Sequence, residues 1–391
     1  MSEYIIQRET LESIANAVRE KKGTTDLIPV SSLASEILSI ESGGGGEQTT
    51  GDFWVKVIDY DGTVLLEKRG NNGGSFDLPS APSHEGLVFQ EWSASQEITD
   101  NKITIADNNV MVGAIYTTAS GQNEFDITLT KVTGLKVTLY MDGTKNWGDG
   151  TSDTNTTHTY TAYGDYTIKC DGTKKTSSYG SGLFGSSTTI NYYCTAARFA
   201  TVTSISSFLL QLCRSLTNVI IPNGVTKIGS NAFNDCCSLT NVIIPNEVTS
   251  MGSNVFSSCY SLTNVIIPNG VTKIGSNAFS GCYSLTNVII PNGVTSIGSE
   301  AFDGGYSLTN VIIPYSVMSI NDYSFGNCYA LTKYVFSKHS SVPTLSDTNA
   351  FFKIKGICKI IVPDSLYDEW IAATNWSTYA DYIYKASEVT A

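Results

Sequence analysis

The chain has 391 residues, 24 basic and 36 acidic, for a formal charge of -12. That balance argues against nucleic acid as the main partner, because phosphate binding takes a basic patch, and the length leaves room for two to four domains. Charged residues make up only 15% while Ser, Thr, Asn, Gly and Tyr abound, a neutral polar composition common in extracellular and virion β-structures.

Met1–Glu9 carries an acid at Glu3 and no apolar core of the kind a secretory leader needs. No run approaches the ~18 apolar residues of a membrane span. The expectation is a chain made and kept in a cytoplasm or released by lysis, without membrane insertion. Residues 1–42 read as two short helices. Leu11, Ile14, Ala15 and Val18 form one apolar stripe ended by Gly23; Pro29 and Ser31-Ser32 open a second with Leu33, Ile37 and Ile40 on one face. So small a hairpin buries little by itself, so it is expected to dock on a partner or self-associate into a homo-oligomer. Residues 43–51, starting with four glycines, are a flexible linker.

Residues 52–118 read as a small β-domain. Phe53, Val55 and Val57 alternate with Trp54, Lys56 and Ile58, and Asp61-Gly62 supplies a hairpin turn before Thr63–Leu66. A second strand pair is expected around Leu87–Trp92 and Ile103–Ile105. Residues 122–176 read as another β-domain with strands near Glu124–Thr130, Gly134–Tyr140 and Asp165–Cys170. Asp149, Asp153, Asp165 and Asp171 have the chemistry of a calcium site, but turn aspartates accepting backbone N–H bonds are the favoured reading, and no cofactor is expected. His158 is expected to be a packed or hydrogen-bonded strand residue.

From about 193 to the C-terminus the chain repeats with a period of 23 residues. Ser215–Cys237 and Ser261–Tyr283 differ at three of 23 positions. Leu216, Leu239, Leu262, Leu285, Leu308 and Leu331 keep the period, as do Phe233, Phe256, Phe279, Phe302 and Phe325. A fixed period of this size means a solenoid of stacked coils, each too small to bury its apolar face alone. Val202, Ile205 and Cys213 fall 23 before Val225, Ile228 and Cys236, so a degenerate first coil is expected as the opening cap. Lys359–Val362 should be a last strand. Pro363-Asp364 should begin a helix running to about Thr374, with Leu366, Trp370 and Ile371 inward, and Trp376, Tyr379 and Tyr382 should complete the plug.

Within a coil, Leu216, Val219 and Ile221 should face the core while Asn218 and Ile220 face the concave side. Three rows are candidate binding surfaces. Ile220, Ile243, Ile266, Ile289 and Ile312 form an apolar row, read either as covered by a neighbouring domain or as a docking groove. Asn218, Asn241, Asn264, Asn287 and Asn310 form an amide row able to hydrogen-bond up the sheet. Tyr260, Tyr283, Tyr306 and Tyr329 lie at the repeat boundary and suit packing or saccharide stacking. Nine cysteines, five of them at one repeat position, read as small buried side chains. No GxSxG, HExxH or phosphate loop occurs, so the chain is expected not to be an enzyme and to bind no metal.

The repeat frame, with Leu216, Val219, Ile221, Val225, Ile228, Ala232, Phe233 and Cys236, resembles the 23-residue leucine-rich repeats of bacterial surface antigens and many gut-phage proteins. Trp147–Thr151 (WGDGT), His158–Tyr160 (HTY) and Gly164–Cys170 (GDYTIKC) resemble PKD-type immunoglobulin-like sandwiches, which implies a spacer or glycan-proximal module. Val57–Trp92 resembles β-grasp-like repeats of surface and phage proteins, and Leu11–Ile37 resembles a segment near the start of phage tail-fibre proteins. The order of these resemblances implies a virion protein of tail-fibre or receptor-binding type. Residues 1–42 would then meet other virion proteins and the repeats a host surface protein or glycan. A bacterial cell-surface adhesin is the alternative, and departures between copies are where specificity is expected. These are Asn234–Cys237 against Ser280–Tyr283, Asp303–Gly305, and Tyr315 in place of asparagine.

Overall fold

The computed structural model describes residues 53–84, 87–105, 109–118, 125–132, 136–139, 143–170, 194–199, 202–336, 338–354 and 356–389. The helical hairpin and glycine linker expected over 1–51 lie outside the described residues, as does Asp171.

The first unit is built on strands β1 (Phe53–Ile58), β2 (Val64–Gly70), β3 (Ser75–Asp77), β4 (Leu87–Ala94), β5 (Ile98–Thr99), β6 (Lys102–Thr104) and β7 (Val110–Thr118). The expected hairpin forms: Gly62 takes φ +90°, and its N–H donates to the Asp59 carbonyl at 3.0 Å. The second expected pairing does not form. β4 pairs with β7, giving a four-stranded sheet β2-β1-β7-β4, while β6 joins β3 and β5 in a small side sheet. β7 runs parallel to β1 in the middle of the main sheet.

That central position explains its sequence, Val-Met-Val-Gly-Ala-Ile-Tyr, which is apolar on both faces. One face, with Val55, Val57, Val110, Val112, Ala114 and Tyr116, closes the unit's own core. The other, with Ile58, Met111 and Ile115, leaves the unit and packs on the repeats.

The second unit contains β8 (Phe125–Val132), β9 (Lys136–Thr138), β10 (Lys145–Asn146), β11 (Ser152–Asp153), β12 (Thr157–Thr159) and β13 (Gly164–Cys170), followed by β14 (Cys194–Phe199). Its main sheet does not stop at the unit's edge. The order is β11-β10-β13-β8-β14 and then Asn218–Ile220, the first inner strand of the solenoid. Ala196, Ala197 and Arg198 pair in parallel with Asn218, Val219 and Ile220. One apolar core runs without a break from Ile127 to Ile383. The degenerate coil at 202–213 caps the array as expected, and on the inner sheet the antiparallel pair β8–β14 completes that cap. The coil supplies the first short outer strand, Ser204–Ile205, and the N–H groups of Phe208, Leu210 and Leu212, which donate to the carbonyls of Ser230, Ala232 and Asn234. The physical reason is the exposed ladder of an end strand, which needs a hydrogen-bonding partner.

The later coils contribute an inner strand of two or three residues and a two-residue outer strand, most of them paired in register with the coil before, as in Asn241↔Asn264 and Lys273↔Ser296. Between them Phe233, Phe256, Phe279, Phe302 and Phe325 stack face to face with centroids 5.2–5.6 Å apart. The thiols of Cys236, Cys259, Cys282 and Cys328 donate to the carbonyls of Leu210, Phe233, Phe256 and Phe302 at 3.2–3.4 Å. Burial pushes the Cys282 and Cys328 thiols up to about 12. These cysteines serve packing and close a backbone acceptor.

The far end is plugged as the sequence implies. Lys359–Val362 pairs with the preceding coil and with Ile383–Lys385. Helix α1 (Tyr367–Ala372) and the 3-10 turn Trp376–Tyr382 bury Trp370, Trp376 and Tyr379. Buried among them is His339, whose Nδ1 lies 3.1 Å from the Phe336 carbonyl. Burial holds its pKa below the ordinary 6.5. On acidification below that value the unfolded chain takes up a proton that the folded plug resists, so this contribution to stability is lost as pH falls. His339→Phe is expected to flatten the loss of stability between about pH 7 and pH 5 relative to wild type. Equal slopes in urea titrations of the two proteins would count against this role.

Candidate functional site

The concave sheet is the first place to look for a partner, and the chain fills it itself. Ile243, Ile266 and Ile289 pack against Ile58, Met111 and Ile115 of the first β-unit, with Trp54 and Tyr60 at the margin. Ile220 joins the core of that unit. The four isoleucines are 1–6% exposed, and Ile312, beyond the covered stretch, is half-buried. The docking-groove reading of this row is thus corrected: an apolar ladder this long is costly in water, and the first β-unit covers four of its five members.

The fit is close. A Cβ on Gly113 would lie 2.7 Å from the Cδ1 atoms of both Ile243 and Ile266, so only glycine lets β7 approach this near. Polar bonds fix the register at the rim. Asn241 Nδ2 donates to the Asp61 carbonyl at 3.0 Å, and Ser93 Oγ to the Ile244 carbonyl at 2.6 Å. Asn246 Nδ2 donates to the Trp92 carbonyl at 2.9 Å and to Glu91 Oε1 at 3.2 Å. The Asn223 N–H donates to Gln90 Oε1 at 2.9 Å. The sequence reading missed Gly113, Ser93 and Gln90. The available signal was the two-faced apolar run of 110–116, which a sheet with one face in solvent does not need.

The asparagine row is largely structural. Asn218, Asn241, Asn264, Asn287 and Asn310 each donate to the hydroxyl of the preceding threonine. One bond climbs the ladder directly, from Asn264 Nδ2 to Asn241 Oδ1 at 3.2 Å. Threonine hydroxyls do more of the climbing, as from Thr263 to the Thr240 carbonyl.

The tyrosine row is open. Tyr260, Tyr283, Tyr306 and Tyr329 stack with centroids 4.7–5.3 Å apart and planes within 17°. The first three are about 40% exposed. Because the rings cover one another's faces, the row offers solvent a line of ring edges and hydroxyls. It lies at the corner before each inner strand and runs along the solenoid axis.

In the second unit Trp147 is fully buried, and its Nε1 donates to Asp153 Oδ1 at 3.1 Å. His158 stacks on that indole at 4.9 Å, with Nε2 2.7 Å from Asp149 Oδ2. Asp149 also accepts from the Thr151 N–H and hydroxyl, and Asp153 from the Asn155 N–H. These bonds hold both carboxyls below their ordinary range, Asp153 mainly through Trp147 and Asp149 through Thr151 and His158 against the opposing effect of burial. Both side chains are committed to turn geometry. Among the described residues no group of three or more His, Cys, Asp or Glu is placed to hold a metal ion, and no helix is long and apolar enough to cross a membrane.

Residues 178–304 and 272–369 match the family described as the BspA type leucine rich repeat region, in six copies. Residues 178–369, just under half of the chain, are a BspA-type leucine-rich repeat region. Three solved structures are similar to parts of the chain. A leucine-rich repeat protein of T. pallidum is 26% identical over 44% of this chain and 76% of its own, with a TM-score of 0.34. One from Eubacterium ventriosum is 26% identical over 39% of this chain and 43% of its own, with a TM-score of 0.34. A leucine rich cell surface protein of Faecalibacterium prausnitzii is 27% identical over 46% of this chain and 40% of its own, with a TM-score of 0.30. The chain thus spans less than half the length of the last two. No curated protein matches it.

Proposed function

We propose that this chain is a non-catalytic attachment protein of the bacterial cell-surface type, an adhesin, and that it meets a protein partner along the tyrosine row. The observation that carries this reading is the contrast between two rows of the BspA-type repeats. Four of the five isoleucines are covered by the chain's own β-unit, whereas the tyrosine row is exposed over several coils. Tyrosine supplies large contact area at low entropic cost and keeps a polar tip, the property that enriches it in protein interfaces. Stacked rings that show only edges and hydroxyls suit a protein surface better than a sugar ring, which stacks on an open aromatic face. The arrangement of Trp147, Asp149 and His158 supports a PKD-like spacer reading of 125–170. The virion reading rests on residues 1–42 and on module order, and the repeat family lends it no support.

The test is adhesion of the purified chain to epithelial cells and to an extracellular-matrix protein panel. Tyr260, Tyr283 and Tyr306 replaced together by Ser should lower binding at least tenfold, the scale of a lost aromatic hot spot. Cooperative unfolding should persist, because the rings sit outside the phenylalanine core. Unchanged adhesion by this variant would sink the assignment of the row, and a wild-type chain that adheres to nothing would sink the adhesin reading itself.

A further inference from the structure

A second row of side chains lies at the opposite corner of the coils, just after each inner strand, where Asn223, Asn246, Asn269, Asn292 and Tyr315 occupy one position. It begins at the seam between the first β-unit and the repeats. There an open cleft of about 630 Å³ is lined by Glu91, Trp92, Gln96, Glu97, Ile98 and Asn101 from one side, and by Asn246 and Asn269 from the other. Domain seams are favoured places for ligand sites. Asn246 is spent on holding the seam together, through its bonds to Glu91 and Trp92. Asn269 and Asn292 are exposed, and Tyr315 is 58% exposed. None of these three side chains hydrogen-bonds to a described residue. From Asn246 to Tyr315 the row covers three coil spacings, ~14 Å.

The chemistry of this strip selects a ligand class. No lysine or arginine lines the cleft, and Glu91 and Glu97 do, so phosphate, sulfate and uronate groups are disfavoured. Beyond the cleft the row carries amides flanked by Gly270, Gly293 and Ser316, with no carboxylate to hold a cation along its length. Amides and carboxylates present both donors and acceptors to hydroxyl groups. Tyr315 ends the row at 58% exposure, and among the described residues no ring stacks on it as rings do on Tyr283 and Tyr306. We propose that the seam cleft and the strip Asn269–Asn292–Tyr315 bind a neutral, linear glycan, whose hydroxyls are held by the amides and Glu97 and one of whose rings lies on Tyr315. This site is separate from the tyrosine row and stands whether or not that row contacts a protein.

Calorimetric titration of the full chain with neutral hexasaccharides tests it, using β-1,4-glucan, α-1,4-glucan, β-1,4-N-acetylglucosamine and galactan forms. Polygalacturonate and oligolysine serve as the anionic and cationic arms. At least one neutral hexasaccharide is expected to bind. Tyr315→Ala and Asn269→Ala should each weaken it roughly fivefold, the scale of one hydrogen bond or stacking contact. Tyr315→Phe should bind as wild type, and thermal unfolding should not change in any of the three. Binding of polygalacturonate or oligolysine alone, binding of no neutral hexasaccharide, or equal affinity in Tyr315→Ala and wild type overturns the proposal. Cell adhesion in the presence of sugar-binding failure would leave the adhesin reading standing; sugar binding without cell adhesion would do the reverse.

Discussion

Replacing Ile243, Ile266 and Ile289 together by Asn is expected to split a single thermal transition into two, with residues 53–118 melting apart from the repeats. The six side chains at the apolar centre of the seam are Ile58, Met111, Ile115 and these three isoleucines, with Ile220 beside them in the core of the first unit. Burying each contributes ~1.5–3 kcal/mol, so the apolar contact is worth at most roughly 9–18 kcal/mol before ordering costs. The triple variant removes half of that and leaves about 4–9 kcal/mol from Ile58, Met111 and Ile115. Against it stand three buried amides without partners, each costing ~1–3 kcal/mol. The two nearly cancel, which leaves Ile220 and the rim bonds of Asn241, Asn246 and Ser93, each net hydrogen bond giving only ~1 kcal/mol, against the conformational entropy lost in ordering the two units on each other. Calorimetry should show two peaks, and small-angle scattering a larger radius of gyration. One unshifted transition would mean that the first unit is held by something other than the isoleucine row. The docking-groove reading of this row implies the opposite outcome, lost partner binding with cooperative unfolding kept, whereas cover by a neighbouring domain implies the split.

The choice between those two readings marks the limit of what the residues alone decide. The repeat was legible because its period is carried by side chains that meet their own copies in adjacent coils: Phe279 touches Phe256 and Phe302 at the same offset each time. The C-terminal plug was legible because Trp370, Trp376 and Tyr379 are too large and apolar to leave exposed. The seam was not, since nothing in Ile266 distinguishes a face that waits for a partner from one that meets Gly113 more than a hundred residues earlier. Likewise the join of β8 and β14 to the first coil is a backbone pairing, and backbone hydrogen bonds carry no side-chain signature across residues 133–193. The candidate sites divide in the same way. The tyrosine row could be read from its spacing, whereas its closed ring faces, and the exposed ring of Tyr315, depend on what stacks beside each ring.

Phe279→Ala is expected to be the most destabilising single change in the repeats. The ring is 1% exposed and lies between Phe256 at 5.6 Å and Phe302 at 5.4 Å, in a column that runs from Phe233 to Phe325 and on to Phe351. Truncating a buried phenylalanine costs ~3–5 kcal/mol, and that range already contains most of the two stacking contacts, each worth ~0.5–1.5 kcal/mol. Position adds a second effect. In a solenoid each coil touches only its neighbours, so stability is a sum of coil and interface contributions, and a weak interface in the middle uncouples the two halves. Phe233→Ala removes a ring with one stacked phenylalanine instead of two, next to a coil that β8 and β14 support. It should cost less and keep one transition. Urea unfolding followed by tryptophan fluorescence, compared with the same variants carrying Trp54→Phe and Trp92→Phe, separates the cases, because Trp370 and Trp376 report the C-terminal half and Trp54, Trp92 and Trp147 the N-terminal side. In Phe279→Ala the 370–376 signal should change at lower urea than circular dichroism does, and the apparent m-value should fall as two-state behaviour is lost. Coincident curves with an unchanged m-value would show that the seam with residues 53–118, which spans the coils of Ile220, Ile243, Ile266 and Ile289, clamps the array into one cooperative unit despite the defect.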